Sequence, residues 1–226
     1  MSDAKATAYA GPAPLARSPI RAQHTAGDGT LTLTDQSATG KLLVRAPVDG
    51  PMAEALGTRF GRAGREIGDD ALVVGSGPGE WLVIAPREEL PKFTAWLEQR
   101  GEAGPGPVSV VDVSHGRAMM RLTGRTAADV LAKLCAVDLS DVVVPDGGAF
   151  RSSVARVATD VVRDDSGGPG AGDSGAGDPG AGDPGTGDPG AGDRPSYVLH
   201  CERSSGQYLW DAVVDAGREH GVTVAP

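Results

Sequence analysis

Hydrophobic positions along the chain follow strand and helix periods in an order that occurs twice. The first half predicts strands at 31–34 and 41–45, a helix at 51–60, a hairpin of strands 71–74 and 80–84, and an amphipathic helix at 87–100. The second half predicts a lead-in strand at 108–113, a strand at 117–122, a helix after Thr126, a strand at 152–162, a strand at 196–201 and a helix at 207–220. After its first strand, each half therefore runs strand, helix, strand, strand, helix.

Aromatic residues occupy matching places in the two halves. Trp81 on the last strand of the first half precedes Trp96 on the final helix, and Tyr197 precedes Trp210 in the same way. We therefore predict an α+β fold of two pseudo-repeated units with antiparallel sheets, at 29–103 and 108–221. The alternative is a chance similarity between two amphipathic halves.

Glycine and proline are concentrated in one segment of the 226-residue chain. The sequence contains 34 Gly and 17 Pro, and twelve of the Gly and four of the Pro lie within 166–193. Five copies of a five-residue unit, mostly Pro-Gly-Ala-Gly-Asp, run from Pro169 to Asp193. Calcium-binding β-helix repeats differ, because they have a nine-residue period and an inward apolar position. We predict a disordered, solvated insert at a hairpin tip, and a disordered N-terminal tail at 1–28.

The charge balance argues against nucleic acid and membranes as partners. The net charge is −9, five of the acidic residues lie in the repeats, and no Lys/Arg cluster occurs. No apolar run approaches the roughly 20 residues needed to span a bilayer. The N-terminal region lacks the apolar stretch of a signal peptide. These features predict a cytoplasmic protein.

Three short segments invite a chemical interpretation. Gly75 to Gly79 resembles a phosphate loop, but a strand follows it where a dinucleotide site needs a helix, so we predict a turn. Asp112, Ser114 and His115 bring together the residue types of a hydrolase. On a strand, however, His115 would point away from Asp112 and Ser114, and this favours a local structural role.

Other candidates for metal or redox chemistry stand alone. Cys135 and Cys201 lie in apolar surroundings without a C-x-x-C spacing, which predicts buried thiols. His24, His200 and His220 are scattered singly, without the spacing of metal ligands. We therefore assign no catalytic, cofactor-binding or metal-ligating residue to this chain.

Several short motifs, in order, nevertheless resemble a known family. They are Val111-Asp112-Val113-Ser114-His115-Gly116-Arg117-Ala118, Leu122-Thr123-Gly124, Ala128-Asp129-Val130-Leu131, Val137-Asp138-Leu139, Gly79-Glu80-Trp81-Leu82 and Tyr208-Leu209-Trp210. Together they resemble the gamma subunit of heterotetrameric sarcosine oxidase. The Asp112–His115 run and the Leu-x-Gly unit are more distantly similar to the folate-binding aminomethyltransferase fold of the glycine cleavage T-protein.

This resemblance implies a place in an oxidase complex. Such a complex oxidises sarcosine with oxygen to glycine, hydrogen peroxide and a one-carbon unit that passes to tetrahydrofolate. The resemblance implies alpha, beta and delta subunits as partners, and it places FAD, FMN, NAD and tetrahydrofolate on those subunits. The gamma subunit would then be a non-catalytic assembly subunit. The isolated chain is expected to bind no flavin, since it lacks a dinucleotide fingerprint.

Two alternatives remain open from the sequence. A tetrahydrofolate-dependent aminomethyltransferase-like protein would use Asp160 to orient the folate amine. Against it, the T-protein carries a Gly-Gly-Ile-x-Asp-Asp stretch where this chain has Ser153 to Asp160, with Arg156 near the glycine positions. The second alternative is a stand-alone binding module unrelated to sarcosine, which neighbouring genes would distinguish.

Overall fold

The computed structural model describes residues 17–22, 27, 30–104, 106–167 and 194–225. Most of the predicted tail 1–28 and of the predicted insert 166–193 lies outside the described residues. The strands are β1 (Leu31–Asp35), β2 (Gly40–Arg45), β3 (Ala63–Gly64), β4 (Leu72–Gly77), β5 (Glu80–Ala85), β6 (Ser109–Asp112), β7 (Arg117–Gly124), β8 (Ala149–Val154), β9 (Val157–Arg163), β10 (Ser196–Glu202) and β11 (Thr223–Ala225). The helices are α1 (Pro51–Leu56), α2 (Leu90–Ala103), α3 (Ala127–Ala132) and α4 (Gly206–Gly217).

These strands form two sheets. The first sheet has the order β3-β4-β5-β2-β6 and the second has the order β8-β9-β10-β7-β1-β11. All neighbours are antiparallel except β1 and β11, which are parallel. Apart from β1, each sheet uses the same chain order of strand, helix, three strands, helix, strand. The predicted α+β fold with two pseudo-repeated antiparallel units is therefore confirmed.

Two strands lie in the sheet opposite to the one that their half of the chain predicts. The strand at 31–34 was placed in the first unit, but β1 lies in the second sheet between β7 and β11. The lead-in strand at 108–113 was placed in the second unit, but β6 pairs with β2 in the first sheet. Alternating hydrophobicity shows that a strand buries one face, and it carries no information about which strand lies beside it.

The two sheets lie face to face, and each carries its helices on its outer side. Along β4, Val73 contacts α1 and α2, whereas Leu72 and Val74 on either side of it contact the second sheet. On the second sheet, Tyr197 faces α3 and α4, as Trp81 faces α1 and α2 on the first. The layers are helix, sheet, sheet, helix. Because both faces of each sheet are covered, polar residues that face the other sheet are largely enclosed.

Two local features differ from the predictions. Helix α1 ends at Leu56, because Gly57 adopts a left-handed conformation with φ of 65°. Phe60 therefore lies outside the helix. The predicted single strand at 152–162 is instead the hairpin of β8 and β9, whose turn residues Ala155 and Arg156 have φ of 48° and 69°. Such turns usually contain Gly or Asn, so this pair gave no turn signal in the sequence.

The strands that flank the insert pair with each other. Strands β9 and β10 are antiparallel neighbours, as the predicted hairpin requires. The backbone N–H of Asp164 donates to the carbonyl of Ser196 at 2.8 Å, and the N–H of Ser196 donates to Oδ1 of Asp165 at 2.8 Å. The base of the hairpin is thus closed by contacts among the described residues.

Candidate functional site

The interface between the sheets has an apolar middle and a polar cluster at each end. The middle is formed by Leu72, Val74, Leu82, Ile84, Met119, Val162 and Val198. Asp160 and Val162 are successive inward positions on β9, and Asp164 directly follows the end of the strand, so the two aspartates flank the apolar middle. The buried polar side chains between the two sheets are therefore the candidate functional residues of this fold.

The Asp164 cluster lies at one end and consists of Arg65, Arg121, Asp164 and Ser196. Arg121 donates to Oδ2 of Asp164 at 2.7 Å and to Oγ of Ser196 at 2.8 Å. Arg65 donates to both carboxylate oxygens of Asp164 at 2.9 Å. The side chains of Arg121 and Asp164 are both buried. The buried pair of Arg121 and Asp164 has the well-formed hydrogen bonds that a buried ion pair needs in order to be stable. Arg65 is partly exposed and gives the cluster one excess positive charge.

A cavity of about 370 Å³ lies next to the Asp164 cluster. Its apolar wall includes Leu72, Ile84, Met119 and Val198, so both sheets contribute to it. Polar groups of Gln36, Thr39, Asp69 and Asp70 lie around this wall, together with the two arginines of the cluster. The cavity is large enough for a small organic molecule. Arg121 has little capacity for a ligand, because its Nε and both terminal nitrogens already donate hydrogen bonds within the fold. Arg65 donates to Asp164 through one terminal nitrogen only.

The Asp160 cluster lies at the other end and consists of Arg45, Glu80, Arg151, Asp160 and His200. Arg151 donates to the Asp160 carboxylate through Nε at 2.6 Å and through a terminal nitrogen at 3.1 Å. Glu80 lies 3.9 Å from Arg151 and forms an ion pair with Arg45 at 2.9 Å. This chain of charges joins the edge of the second sheet to the first sheet.

His200 is the buried member of the Asp160 cluster. Its Nε2 lies 3.4 Å from Oδ2 of Asp160, but neither ring nitrogen forms a hydrogen bond with the described residues. Burial lowers the pKa of His200 to about 4, although the charge of Asp160 acts in the opposite direction. The imidazole is therefore neutral at neutral pH. In the sequence His200 is an isolated histidine, and its pairing with Asp160 depends on the register of β9 and β10.

Lys41 is a buried basic residue whose burial could not be predicted from the sequence. Its ammonium group donates to the carbonyl oxygens of Ser37 at 3.0 Å and Thr39 at 2.7 Å, and the residue has no exposed surface. Burial, followed by repulsion from Arg87, lowers the pKa of Lys41 to about 8. A lysine on a strand normally indicates a solvated face, so only the second sheet above it reveals the burial.

The Asp112–His115 segment has a structural role and does not form a hydrolase triad. Ser114 and His115 begin a short 3-10 turn rather than extending the strand. Oδ1 of Asp112 accepts the N–H of Ser114 at 2.8 Å, and Oγ of Ser114 accepts the N–H of Lys41 at 2.9 Å. Burial opposes ionisation of Asp112, but the hydrogen bonds from Ser114 outweigh it and lower the pKa. His115 instead contacts Arg87 at 2.6 Å on the surface.

The remaining candidate residues do not form a reactive group. Cys135 and Cys201 are free and buried, and burial raises the pKa of Cys201 to about 11, so its reactive thiolate is disfavoured. His220 contacts Lys133 at 3.3 Å on the surface, and His24 lies outside the described residues. Gly75 and Gly77 are the last part of β4, and Gly79 forms its turn into β5. Across the ranges that the structure describes, no three His, Cys, Asp or Glu side chains are grouped as metal ligands would be.

Comparison with curated proteins assigns the family. The chain is 32% identical over 146 residues to the gamma subunit of sarcosine oxidase from Corynebacterium sp. strain U-96, covering 61% of this chain and 69% of that subunit. The chain belongs to the sarcosine oxidase gamma subunit family. This agrees with the resemblance of the short motifs. No model of a protein family matches the sequence.

Solved structures show a similar fold over almost the whole chain. A chain of the heterotetrameric sarcosine oxidase from Corynebacterium sp. U-96 aligns with a TM-score of 0.66 at 23% identity, covering 94% of this chain and 100% of that one. The glycine cleavage aminomethyltransferase T of Bartonella henselae aligns with a TM-score of 0.57 at 15% identity, covering 87% of this chain and 48% of that one. Both comparisons support the aminomethyltransferase-like fold.

Aminomethyltransferases are also similar in sequence, but they are longer. The enzyme of Geobacillus thermodenitrificans is 28% identical over 223 residues, which is 92% of this chain and 53% of the enzyme. This gamma subunit family member therefore spans about half the length of the aminomethyltransferase that it matches. In addition, no helix among the described residues is both long and apolar enough to cross a bilayer.

Proposed function

We propose that this protein is a non-catalytic assembly subunit of a cytoplasmic heterotetrameric sarcosine oxidase. The observation that carries the proposal is the state of Asp160, whose two carboxylate oxygens accept hydrogen bonds from Arg151. Asp160 is the residue that an aminomethyltransferase-like function would use for substrate contact, and here it is already bound by Arg151 of the same chain. Membership of the gamma subunit family supports assembly with other subunits. In our proposal these are the alpha, beta and delta subunits of the oxidase.

The residues around Asp160 do not fit tetrahydrofolate. The T-protein stretch that would correspond to Ser153–Asp160 contains two glycines, whereas here it forms the hairpin of β8 and β9 with Arg156 in the turn. The Arg151 guanidinium covers the Asp160 carboxylate at 2.6 Å. A folate amine would have to displace this ion pair. In our proposal tetrahydrofolate, FAD, FMN and NAD therefore bind to the partner subunits.

Co-expression tests the proposal directly. The four subunits are expressed together, and in parallel the alpha, beta and delta subunits are expressed without this chain. We expect this protein to co-purify at stoichiometric level, and we expect its omission to reduce the yield of soluble, flavin-loaded oxidase. Full flavin content and full sarcosine oxidation without this chain would refute an assembly role.

The isolated chain provides a second test. We expect its absorption spectrum to lack flavin bands and its titration with tetrahydrofolate to release no heat of binding. A one-to-one heat signal that disappears in Asp160→Asn would instead support a folate-binding, aminomethyltransferase-like protein. Stoichiometric flavin in the purified chain would contradict the assignment of cofactors to the other subunits.

A further inference from the structure

Two bulky apolar side chains are exposed on the lining of one groove. Phe60 is 65% exposed and Val48 is 56% exposed, and they are two of six large apolar residues that are exposed in the described part of the chain. Both line a groove of about 510 Å³, together with Trp81 and the glycines of the β4–β5 turn. Exposed apolar residues that gather around a concavity mark interaction sites more often than scattered ones do.

The backbone beneath Phe60 is fixed. The N–H of Gly61 donates to the carbonyl of Gly75 at 3.0 Å, and the N–H of Gly75 donates to the carbonyl of Arg62 at 2.9 Å. A Cβ atom at Gly75 would collide with the carbonyl oxygen of Arg59, so this close crossing requires glycine. Phe60 is thus presented to solvent by an ordered segment. An exposed aromatic on a rigid backbone loses little entropy when a partner covers it.

The Val48 wall and the floor are equally ordered. The N–H of Ala46 donates to the carbonyl of Gly79 at 3.0 Å, which ties the loop before Val48 to the β4–β5 turn. On the floor, the indole N–H of Trp81 donates to the carbonyl of Thr58 at 2.7 Å. The polar atom of Trp81 is therefore satisfied within the fold. Its ring is almost fully buried and closes the groove from the core side.

Acidic residues give the groove its charge preference. Asp49 and Glu54 line it and are exposed, and neither forms an ion pair within the described residues. Arg59 is the basic residue on the same lining. The chemistry is therefore an apolar cleft with a net negative edge. A matching partner presents a bulky apolar side chain with a Lys or Arg beside it.

We infer that the groove between Val48 and Phe60 is a docking site for a larger subunit of the oxidase, which inserts an apolar side chain flanked by a basic residue. This inference rests on the proposed assembly function. A single groove is smaller than a stable interface, which buries about 800 Å² on each partner. The groove therefore acts as the anchor of a wider contact, the position where binding energy is concentrated.

The test is made in the co-expressed four-subunit complex. Phe60→Ser and the double variant V48S/F60S are compared with wild type, and relative binding is measured as the ratio of variant to wild-type chain in the purified complex when the two, carrying different tags, are co-expressed with the other subunits. We expect Phe60→Ser to weaken binding at least tenfold and the double variant to weaken it further. Tyr208→Ser and Val142→Ser are the matched controls, because these residues are exposed apolar side chains outside the groove. They should change binding by less than about twofold.

Charge reversal tests whether the partner presents a basic residue beside its apolar side chain. Glu54→Lys should weaken binding several-fold, and it should also reduce the dependence of binding on salt. Every variant should keep the thermal midpoint of the wild-type chain, since none of the substituted side chains is buried.

The outcomes separate this inference from the proposed function. If wild type joins the complex and V48S/F60S joins it equally well, the docking site is wrong while the assembly role stands. If wild type fails to join the other subunits, both are wrong. If the purified chain dimerises alone and Phe60→Ser abolishes the dimer, the occupant is a second copy of this chain, and the inference is overturned.

Discussion

The two polar clusters between the sheets contain similar residues but satisfy them to different degrees. In the Asp164 cluster, two arginines share one aspartate, and the buried guanidinium of Arg121 donates in addition to Ser196. In the Asp160 cluster, the aspartate has one arginine, which is half exposed, and its other neighbour His200 is buried without a hydrogen bond. One end of the sheet interface is therefore fully paired, and the other leaves an imidazole unpaired.

This difference indicates which end of the interface holds the sheets together. Removing one member of a fully paired buried network leaves an uncompensated charge, which costs about 3–5 kcal/mol. The buried imidazole of His200 instead lowers the stability of the fold, because no hydrogen bond compensates for its desolvation, so removing it should not be costly. Asp160 on β9 and Asp164 just after it should therefore respond differently to substitution.

The largest effect is expected for the Asp164 cluster. Asp164→Asn removes the charge that balances Arg121 and Arg65, so the free energy of unfolding should fall by about 3 kcal/mol at pH 7. Urea denaturation of the wild type and the variant measures this difference. Asp215→Asn is the control, because Asp215 forms an exposed ion pair with Arg218 at 3.2 Å. A loss no greater than that of the control would contradict the assignment of Asp164 as the buried centre.

The next effect is a dependence of stability on pH at the other end. The pKa of His200 is about 4 in the folded chain against an ordinary value of 6.5, so between these values the unfolded chain binds the extra proton. The free energy of unfolding should therefore decrease as the pH falls from 6.5 towards 4. The contribution of His200 should approach about 1.4 kcal/mol per pH unit within that window.

His200→Leu isolates this contribution from that of other groups. The variant should be at least as stable as wild type at pH 7, since it removes two unpaired nitrogens. Its advantage should grow at pH 5.5 and grow again at pH 4.5 in urea titrations. His115→Gln, at an exposed histidine, is the control and should follow wild type. A constant difference between His200→Leu and wild type at all three pH values would contradict the lowered pKa.

A smaller effect is expected when Asp160 loses its arginine. The Arg151 side chain is 51% exposed, so water can replace part of its interaction with Asp160. Arg151→Met should lower the free energy of unfolding by about 1 kcal/mol, less than the loss in Asp164→Asn. Chemical denaturation at pH 7 measures it, with Arg45→Met as the exposed control from the same cluster. Equal losses in Arg151→Met and Asp164→Asn would remove the contrast between the two ends.

The smallest effect is expected from deleting Pro169–Asp193. This segment lies outside the described residues, but its flanks meet at the Asp164 cluster, where the hairpin base is closed by the bond from Asp164 to Ser196. Loop closure entropy changes only logarithmically with length, so shortening the loop should alter stability by about 1 kcal/mol or less. Thermal denaturation and co-purification with the other subunits measure the result. Aggregation or failure to assemble would show that the repeats support the fold.

The positions of most helices and strands were predictable, because the spacing of hydrophobic residues that marks each element depends only on neighbouring residues in the sequence. Helix α2 and the β4–β5 hairpin lie within a few residues of their predicted positions, and Trp81 and Tyr197 occupy equivalent places as predicted. The errors occurred where the deciding contact is distant in sequence or the turn lacks its usual residues. The register that brings β1 beside β7 is one example, and the Ala155–Arg156 turn is another.

The polar clusters could not be predicted, because they depend on both sheets at once. Asp160 was a candidate from the resemblance alone, yet its pairing with Arg151 requires the β8–β9 hairpin that the sequence did not reveal. Lys41 and His200 look like ordinary strand residues until the opposite sheet covers them. The Val48–Phe60 groove was missed because Phe60 fitted the apolar face of a longer helix, which Gly57 in fact terminates.

The placement of β1 and β6 bears on how such a chain can be divided. A fragment ending near Gly104 would lack β6 from its own sheet and would carry β1 without its neighbours β7 and β11. The complementary fragment would have the reverse defect. Neither half is therefore a module that gene fission could release as an independent protein. Mixed together, however, the two fragments contain all the strands of both sheets. We therefore expect them to associate and restore the complete fold.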